Sequence, residues 1–320
     1  MNGKKIVSII LIGAIFGFLL WNILQNWGVV RAFPWHFNTI DVVLLVIVSF
    51  LIYPIDAFSW HRIVNALGAN TNYLTNLKIW VFSNAARFIP GVVWQYAGRV
   101  YLANRSGIPK LISTTALILE ALFTVGVAAL LVAVTVMFGM LPFQLDGVRN
   151  LLMPLIMISA LTVTVVLFAL SNERFANRIL SFNLTRSLIN KFVGKQNRLA
   201  RIRLSPVIIP VIIVSFLLQF IAGGSALFFL VRNAVDLSLA LYPLFIGIYA
   251  FAWLSGYLTF FSPSGLGIQD LVLAALLSLY MPFAIASVVA IIFRVLLLVV
   301  EVSTLLVIPL LLRKKGLDFV

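Results

Sequence analysis

The sequence contains no cysteine, which excludes disulfide bonds and thiolate metal sites. Its two histidines, His36 and His61, are too few for a histidine-rich metal site. Charged residues make up 10% of the 320 residues and hydrophobic residues 62%, whereas a soluble domain is roughly 25% charged. These shortages exclude a water-soluble fold.

Motifs for nucleotides and metals are also missing, because the chain has no P-loop, no Rossmann fingerprint and no zinc signature. We therefore predict no cofactor, no metal site and no catalytic residue, and we predict that the protein is not an enzyme. A membrane glycosyltransferase is disfavoured, because such enzymes usually need acidic residues in an outward loop. The outward loops offer only Asp41, Asp146 and Asp236, widely spaced.

The sequence does contain repeated apolar runs of about 20 residues, the length that crosses the hydrocarbon core as a helix. They predict an all-α fold, a polytopic helical membrane bundle that forms one integral membrane domain over residues 1–320. About six runs are long enough to be full spans. These are residues 6–24, 40–60, 111–140, 151–170, 206–231 and 283–312.

Two further apolar stretches, residues 77–101 and 239–281, are interrupted by proline and glycine. The first contains Pro90-Gly91 and the second contains Pro263 to Gly267. Broken backbone at membrane depth is tolerated only where it is buried in protein or lines a wet cavity. In transporters such breaks mark the binding site.

The 23 basic residues outnumber the nine acidic ones and are concentrated between the apolar runs. This placement follows the positive-inside rule, so we expect no nucleic acid partner. Residues 172–205 carry eight basic residues and one acidic residue, and predict a cytoplasmic loop. With Lys4, Lys5 and the basic residues at 313–315 also inside, we predict a multi-pass protein of the cell membrane with both termini cytoplasmic.

The same rule predicts how the two broken stretches enter the membrane. If residues 77–101 crossed once, the basic loop at 172–205 would lie outside, so we predict a re-entrant hairpin from the cytoplasmic side. By the same count, residues 239–281 form a broken hairpin from the outer side. Two broken hairpins of opposite orientation are typical of an inverted repeat with a substrate site near the midplane.

Helices that begin inside the membrane direct unpaired N–H groups and a positive dipole end at the break, which favours phosphate or carboxylate. Arg87 and Arg99 flank the first break and predict a strongly cationic site, although a structural ion pair is an alternative for Arg87. Asp270 is either a first-turn acid stabilised by the dipole or a contact for a cationic group or a coupled proton. The predicted head-group site comprises Arg87, Pro90, Gly91, Arg99, Ser264, Gly265, Gly267 and Asp270. Candidates for buried ion pairs or for coupling are Asp56, Glu120, Arg294 and Glu301.

The residues of both breaks resemble a known family. Residues 87–91 and 98–102 are similar to the R-x-x-P-G…R-x-Y-L stretch of the lysylphosphatidylglycerol synthase transmembrane region (flippase-like) family. Residues 263–270 are similar to its P-G-G-L-G-V-R-E stretch, with departures at Ser264, Gln269 and Asp270. The resemblance covers nearly the whole chain. It implies a polytopic bundle with two re-entrant hairpins that moves aminoacylated phospholipid between leaflets, but no synthase activity, because the soluble transferase domain has no counterpart here.

We therefore predict a lipid translocase that moves a phospholipid or a lipid-linked head group between leaflets. Its partners would be a membrane lipid and an enzyme that supplies that lipid. Two alternatives stay open: a secondary transporter of a small solute, and an accessory membrane subunit of lipid or glycan assembly. A lateral opening toward lipid would favour the translocase, whereas a closed central cavity would favour the solute transporter. Co-purification with other proteins would test the accessory subunit.

Overall fold

The computed structural model describes residues 3–88, 93–138, 208–259 and 263–313, and these ranges contain helices, turns and loops but no strand. The predicted all-α class is confirmed. Single turns of 3₁₀-helix lie at Ala85–Phe88, Leu239–Leu241 and Pro263–Gly265. The α-helices are α1 (Gly3–Gln25), α2 (Trp27–Ala32), α3 (Thr39–Ala66), α4 (Tyr73–Asn84), α5 (Trp94–Arg105), α6 (Lys110–Met137), α7 (Ile208–Arg232), α8 (Tyr242–Leu258), α9 (Ile268–Leu277) and α10 (Phe283–Arg313).

Five helical stretches within the described ranges are long and apolar enough to cross a membrane. They are Thr39–Ala66, Lys110–Met137, Ile208–Arg232, Leu239–Leu258 and Phe283–Ile308. Leu239–Leu258, predicted to be one limb of a hairpin, is thus itself long enough to cross. The predicted span at 151–170 and the predicted basic loop at 172–205 lie outside the described residues.

Helices α3 and α7 pack against each other in antiparallel orientation. Asp41 forms a 3.3 Å salt bridge with Arg232, and the Ser59 hydroxyl donates to the Ser215 hydroxyl at 2.8 Å. The second contact lies eighteen residues further along α3 and seventeen residues back along α7. These two contacts therefore fix the register of the helix pair over five turns.

Glycines allow α8 to approach its neighbours closely. A Cβ atom on Gly223 of α7 would lie 2.1 Å from Cε1 of Tyr249, and a Cβ atom on Gly247 of α8 would lie 2.0 Å from Oγ1 of Thr135. Small residues at such positions let helices pack without a gap. Helix α8 is therefore held tightly between α6 and α7.

Each broken stretch folds back on itself. Helices α4 and α5, on either side of the first break, pack together, and so do α8 and α9 around the second. The 3₁₀ turns at Ala85–Phe88 and Pro263–Gly265 also contact each other. Pro90 and Gly91 lie outside the described residues. The turn just before the first break and the turn of the second break, far apart in sequence, therefore meet in space.

The second break has a backbone that favours glycine. Ser264, Gly265 and Gly267 have φ angles of +58°, +66° and +86°, in the left-handed region that side chains other than glycine rarely adopt. A Cβ atom on Gly265 would lie 3.0 Å from the Cα of Gly256 in α8. The turn can therefore lie directly on α8 before the chain reverses into α9.

Candidate functional site

A cavity of about 470 Å³ lies beside the contact between the turns Ala85–Phe88 and Pro263–Gly265. Its wall includes Arg87 and Arg99 from the first broken stretch and Ser264 and Gly265 from the second. Helices α3, α6, α7 and α10 supply further lining residues. The volume falls within the range of about 300–1,000 Å³ that is common for small-molecule sites. Four of the predicted head-group residues therefore share one cavity.

The polar residues of this cavity lie near the middle of their helices. Asp56 is residue 18 of the 28 in α3, Glu120 is residue 11 of the 28 in α6, and Arg294 is residue 12 of the 31 in α10. Gln219 is residue 12 of the 25 in α7. At 1.5 Å per residue, each is about 6 Å or less from the midpoint of its helix. The cavity is therefore at the mid-depth of the apolar helices.

Arg99 is buried, and two of its three guanidinium nitrogens make hydrogen bonds to the protein. Its Nη1 atom donates to both carboxylate oxygens of Glu120, at 2.8 and 2.7 Å, and its Nε atom donates to the Ser83 hydroxyl at 3.0 Å. The guanidinium carbon lies 5.3 Å from the ring centre of Trp60 and 5.2 Å from that of Trp80, within cation–π range. Arg99 and Glu120 thus join α5 to α6 as a neutral unit.

Arg87, in the 3₁₀ turn of the first break, forms a 2.5 Å salt bridge with Oε2 of Glu301 on α10. Asn84 donates to Oε1 of the same carboxylate at 3.2 Å, and the Tyr53 hydroxyl donates to Oε2 at 3.4 Å. Glu301 is 3% exposed, whereas Arg87 is 21% exposed and lines the cavity. The buried Glu301 carboxylate therefore fixes the position of Arg87 in the cavity wall without lining the cavity itself.

Arg294 connects α10 to the start of α9. Its Nε atom donates to Oδ1 of Asp270 at 2.8 Å and its Nη2 atom donates to Oε1 of Gln269 at 3.1 Å. The other carboxylate oxygen of Asp270 accepts from the Gly267 N–H at 3.0 Å, as in a capping box. Asp270 therefore fixes the second break, while Arg294 and Gln269 face the cavity.

The prediction of a strongly cationic site at Arg87 and Arg99 is wrong. Each of the three arginines at the cavity pairs with a carboxylate, because a guanidinium buried at this depth needs a partner. Arg294 and Glu301, predicted to share one helical face, each pair with a residue of another element. The fourth acid, Asp56, lines the cavity without a salt bridge in the described residues. Three arginines and four carboxylates leave a formal charge of −1.

The other four predicted head-group residues do not line the cavity as the structure describes it. Pro90 and Gly91 lie outside the described residues, Gly267 packs against Ile15 of α1, and Asp270 accepts hydrogen bonds from Arg294 and the Gly267 N–H. Sequence reasoning missed Gln219 and Trp253, whose ring stacks on that of Tyr257 with the centres 4.7 Å apart. A lone amide in an apolar run was a usable signal for Gln219. Trp253 had none, since 13% of the chain is aromatic.

The family model described as lysylphosphatidylglycerol synthase TM region matches residues 5–302 of the chain. The match includes both broken stretches and every residue of the cavity wall. No curated protein matches the sequence.

Proposed function

We propose that this multi-pass membrane protein, which belongs to the lysylphosphatidylglycerol synthase transmembrane region family, is a lipid translocase. It moves a phospholipid or a lipid-linked head group between the leaflets of the cell membrane. The proposal rests on one observation above all: two broken helical stretches meet at a polar cavity at mid-depth. Lipid tails need no such cavity, whereas a polar head group that crosses the bilayer does.

The proposed topology has about six full spans, two re-entrant hairpins of opposite orientation and both termini in the cytoplasm. Helices α4 and α5 have twelve residues each and α9 has ten. At 1.5 Å per residue these helices are about 15–18 Å long, about half of the 30 Å hydrocarbon core. Their length supports a first hairpin that enters and leaves on the same side, and in the second hairpin it supports a short return limb, α9.

The arginines of the cavity supply donors for a phosphate group. Arg99 uses Nε and Nη1, and Arg294 uses Nε and Nη2, for bonds to the protein. The third nitrogen, Nη2 of Arg99 or Nη1 of Arg294, makes no hydrogen bond within the described ranges and is not a buried unsatisfied atom there. Arginine is well suited to phosphate because its planar fork of N–H donors matches phosphate geometry.

The surroundings of the cavity support a lipid rather than a small soluble solute. Val93 lines the cavity next to the first break and is 53% exposed, and Leu258 is 49% exposed at the end of α8, next to the second. Apolar side chains that face outward beside both breaks suit acyl chains that stay in the bilayer. In this proposal the protein catalyses no chemical step, and a separate enzyme supplies its lipid.

Reconstitution into liposomes that contain head-group-labelled anionic phospholipid tests the proposal. Arg87→Ala removes a charged contact that is worth about 1.5–3 kcal/mol, so we expect translocation to slow by roughly tenfold or more. Arg105→Ala, which alters an exposed arginine of α5, is the matched control and keeps the wild-type rate. A wild-type rate equal to that of Arg87→Ala and of protein-free liposomes would contradict the proposal.

A further inference from the structure

Three buried oxygen atoms of the cavity have no hydrogen-bond partner within the described part of the chain. They are Oδ1 of Asp56 on α3, Oε1 of Gln219 on α7 and Oγ1 of Thr114 on α6, and all three residues line the cavity. Buried polar atoms are almost always satisfied in native proteins, so three unsatisfied ones in a single cavity require an explanation. The Thr114 hydroxyl can donate a hydrogen bond, whereas the oxygens of an ionised Asp56 and of the Gln219 amide can only accept one.

The register of α3 and α7 places Asp56 and Gln219 opposite each other. Ser59 is bonded to Ser215 across the antiparallel pair. Asp56 lies three residues before Ser59, and Gln219 lies four residues after Ser215. Both steps are close to one helical turn and lead to the same level and the same face of each helix. Asp56 and Gln219 therefore lie at a similar depth on the same side of the helix pair, where both line the cavity.

Asp56 also carries the excess charge of the cavity. Each cavity arginine is in direct contact with another carboxylate, so the ion pairs around Asp56 are neutral units. Glu120, which also lines the cavity, adds repulsion. The ionisable groups that act on Asp56 are Tyr53 on α3, Arg87 and Arg99 in the first broken stretch, Glu120 on α6 and Tyr249 on α8. On α10, Glu301 acts on Tyr53 and Arg294 acts on Tyr249. An ionised carboxylate without a partner at mid-membrane depth is costly, so Asp56 needs a cation.

We propose that Asp56 is a proton-binding site that couples lipid translocation to a proton gradient. A protonated Asp56 donates its O–H to Oε1 of Gln219, and a single proton then removes the charge and satisfies both the carboxyl and the amide. The described residues hold no cluster of three or more acidic, histidine or cysteine side chains that would favour a metal ion instead. The role of this proton in transport rests on the proposed function, whereas the presence of the proton on Asp56 does not.

The sign of the coupling follows from the charge of the cavity. With Asp56 ionised the formal charge is −1, which repels a phosphate head group. With Asp56 protonated the charge is zero, so the proton and the anionic lipid favour each other's binding, and this coupling is reciprocal. A lipid with one negative charge and one proton then cross together as a neutral pair. Transport is therefore driven by a pH gradient and is insensitive to membrane potential.

Infrared spectroscopy of the purified protein tests the proton without any transport assay. We expect a C=O band of a protonated carboxyl group at neutral pH that is absent in Asp56→Asn. In Gln219→Leu the band moves to higher frequency, because the carboxyl group loses its acceptor. An ionised Asp56 throughout neutral pH would overturn the proposal, and would mean that the amide group of Gln219 donates to Asp56 instead.

Liposomes with an imposed pH gradient test the coupling. In wild type we expect labelled anionic lipid to accumulate in one leaflet. For one proton per lipid, the ratio of its concentrations in the two leaflets should reach about ten for each pH unit of the gradient. Asp56→Asn should abolish this accumulation, whereas Asp236→Asn, which alters an exposed acid, should not. Equal distribution in wild type, despite translocation, would overturn the coupling. A carboxyl band without any translocation would instead contradict the proposed function and leave the proton site intact.

Discussion

The Nη1 atom of Arg99 donates to both carboxylate oxygens of Glu120, and this buried pair joins α5 to the middle of α6. Helix α5 is one limb of a broken stretch, whereas α6 is a membrane-spanning helix by length and composition. The pair therefore anchors a short, broken element to a continuous one at the depth of the cavity. The pairs Arg87–Glu301 and Arg294–Asp270 anchor the first and second breaks to α10 in the same way.

Glu120→Gln should destabilise the protein strongly, because it leaves the Arg99 guanidinium buried without a counter-charge. Breaking one partner of a buried pair costs about 3–5 kcal/mol. The double variant Arg99→Gln/Glu120→Gln removes both charges and should recover a large part of that loss. Thermal unfolding in detergent measures both. A single variant with the melting temperature of wild type would show that the pair does not hold α5 in place.

Gly223→Ala should destabilise the contact between α7 and α8. The added methyl group would lie 2.1 Å from Cε1 of Tyr249, and overpacking of this kind costs about 1–3 kcal/mol. Gly98→Ala in α5 is the matched control, because a Cβ atom there meets nothing within 4 Å. That change should be neutral or slightly stabilising, since alanine is the better helix former. Equal melting temperatures for the two variants would contradict the close approach.

Ser264→Gly should stabilise the second break. Ser264 has a φ angle of +58°, and a side chain in this region costs roughly 1–2 kcal/mol relative to glycine. We therefore expect a rise in the melting temperature of the detergent-solubilised protein. Ser255→Gly in α8 is the control and should lower it, since this serine lies in regular helix. If Ser264→Gly also lowered the melting temperature, the left-handed conformation at Ser264 would be wrong.

The breaks could be predicted because proline and glycine inside apolar runs are a local signal. Backbone that is not hydrogen-bonded is costly in lipid, so such a break must be buried in protein or line a cavity. The ion pairs could not be predicted. Arg294 and Glu301 lie seven residues apart on one helix, yet each pairs with a residue far away in sequence, and only packing decides which. Gln219 could have been singled out as a lone amide in an apolar run, but only the packing of α7 on α3 shows that it shares the cavity with Asp56.

The most direct test of the account asks whether a head group reaches the middle of the membrane inside the protein. Leu297 and Val299 both lie at the middle of α10, but Leu297 lines the cavity and Val299 is 56% exposed on the outer face. A photoreactive side chain at either position can be cross-linked to phospholipid, and mass spectrometry identifies the attached part of the lipid. We predict head-group adducts at 297 and only acyl-chain adducts at 299. Acyl-chain adducts alone at both positions would contradict a head-group path through the cavity.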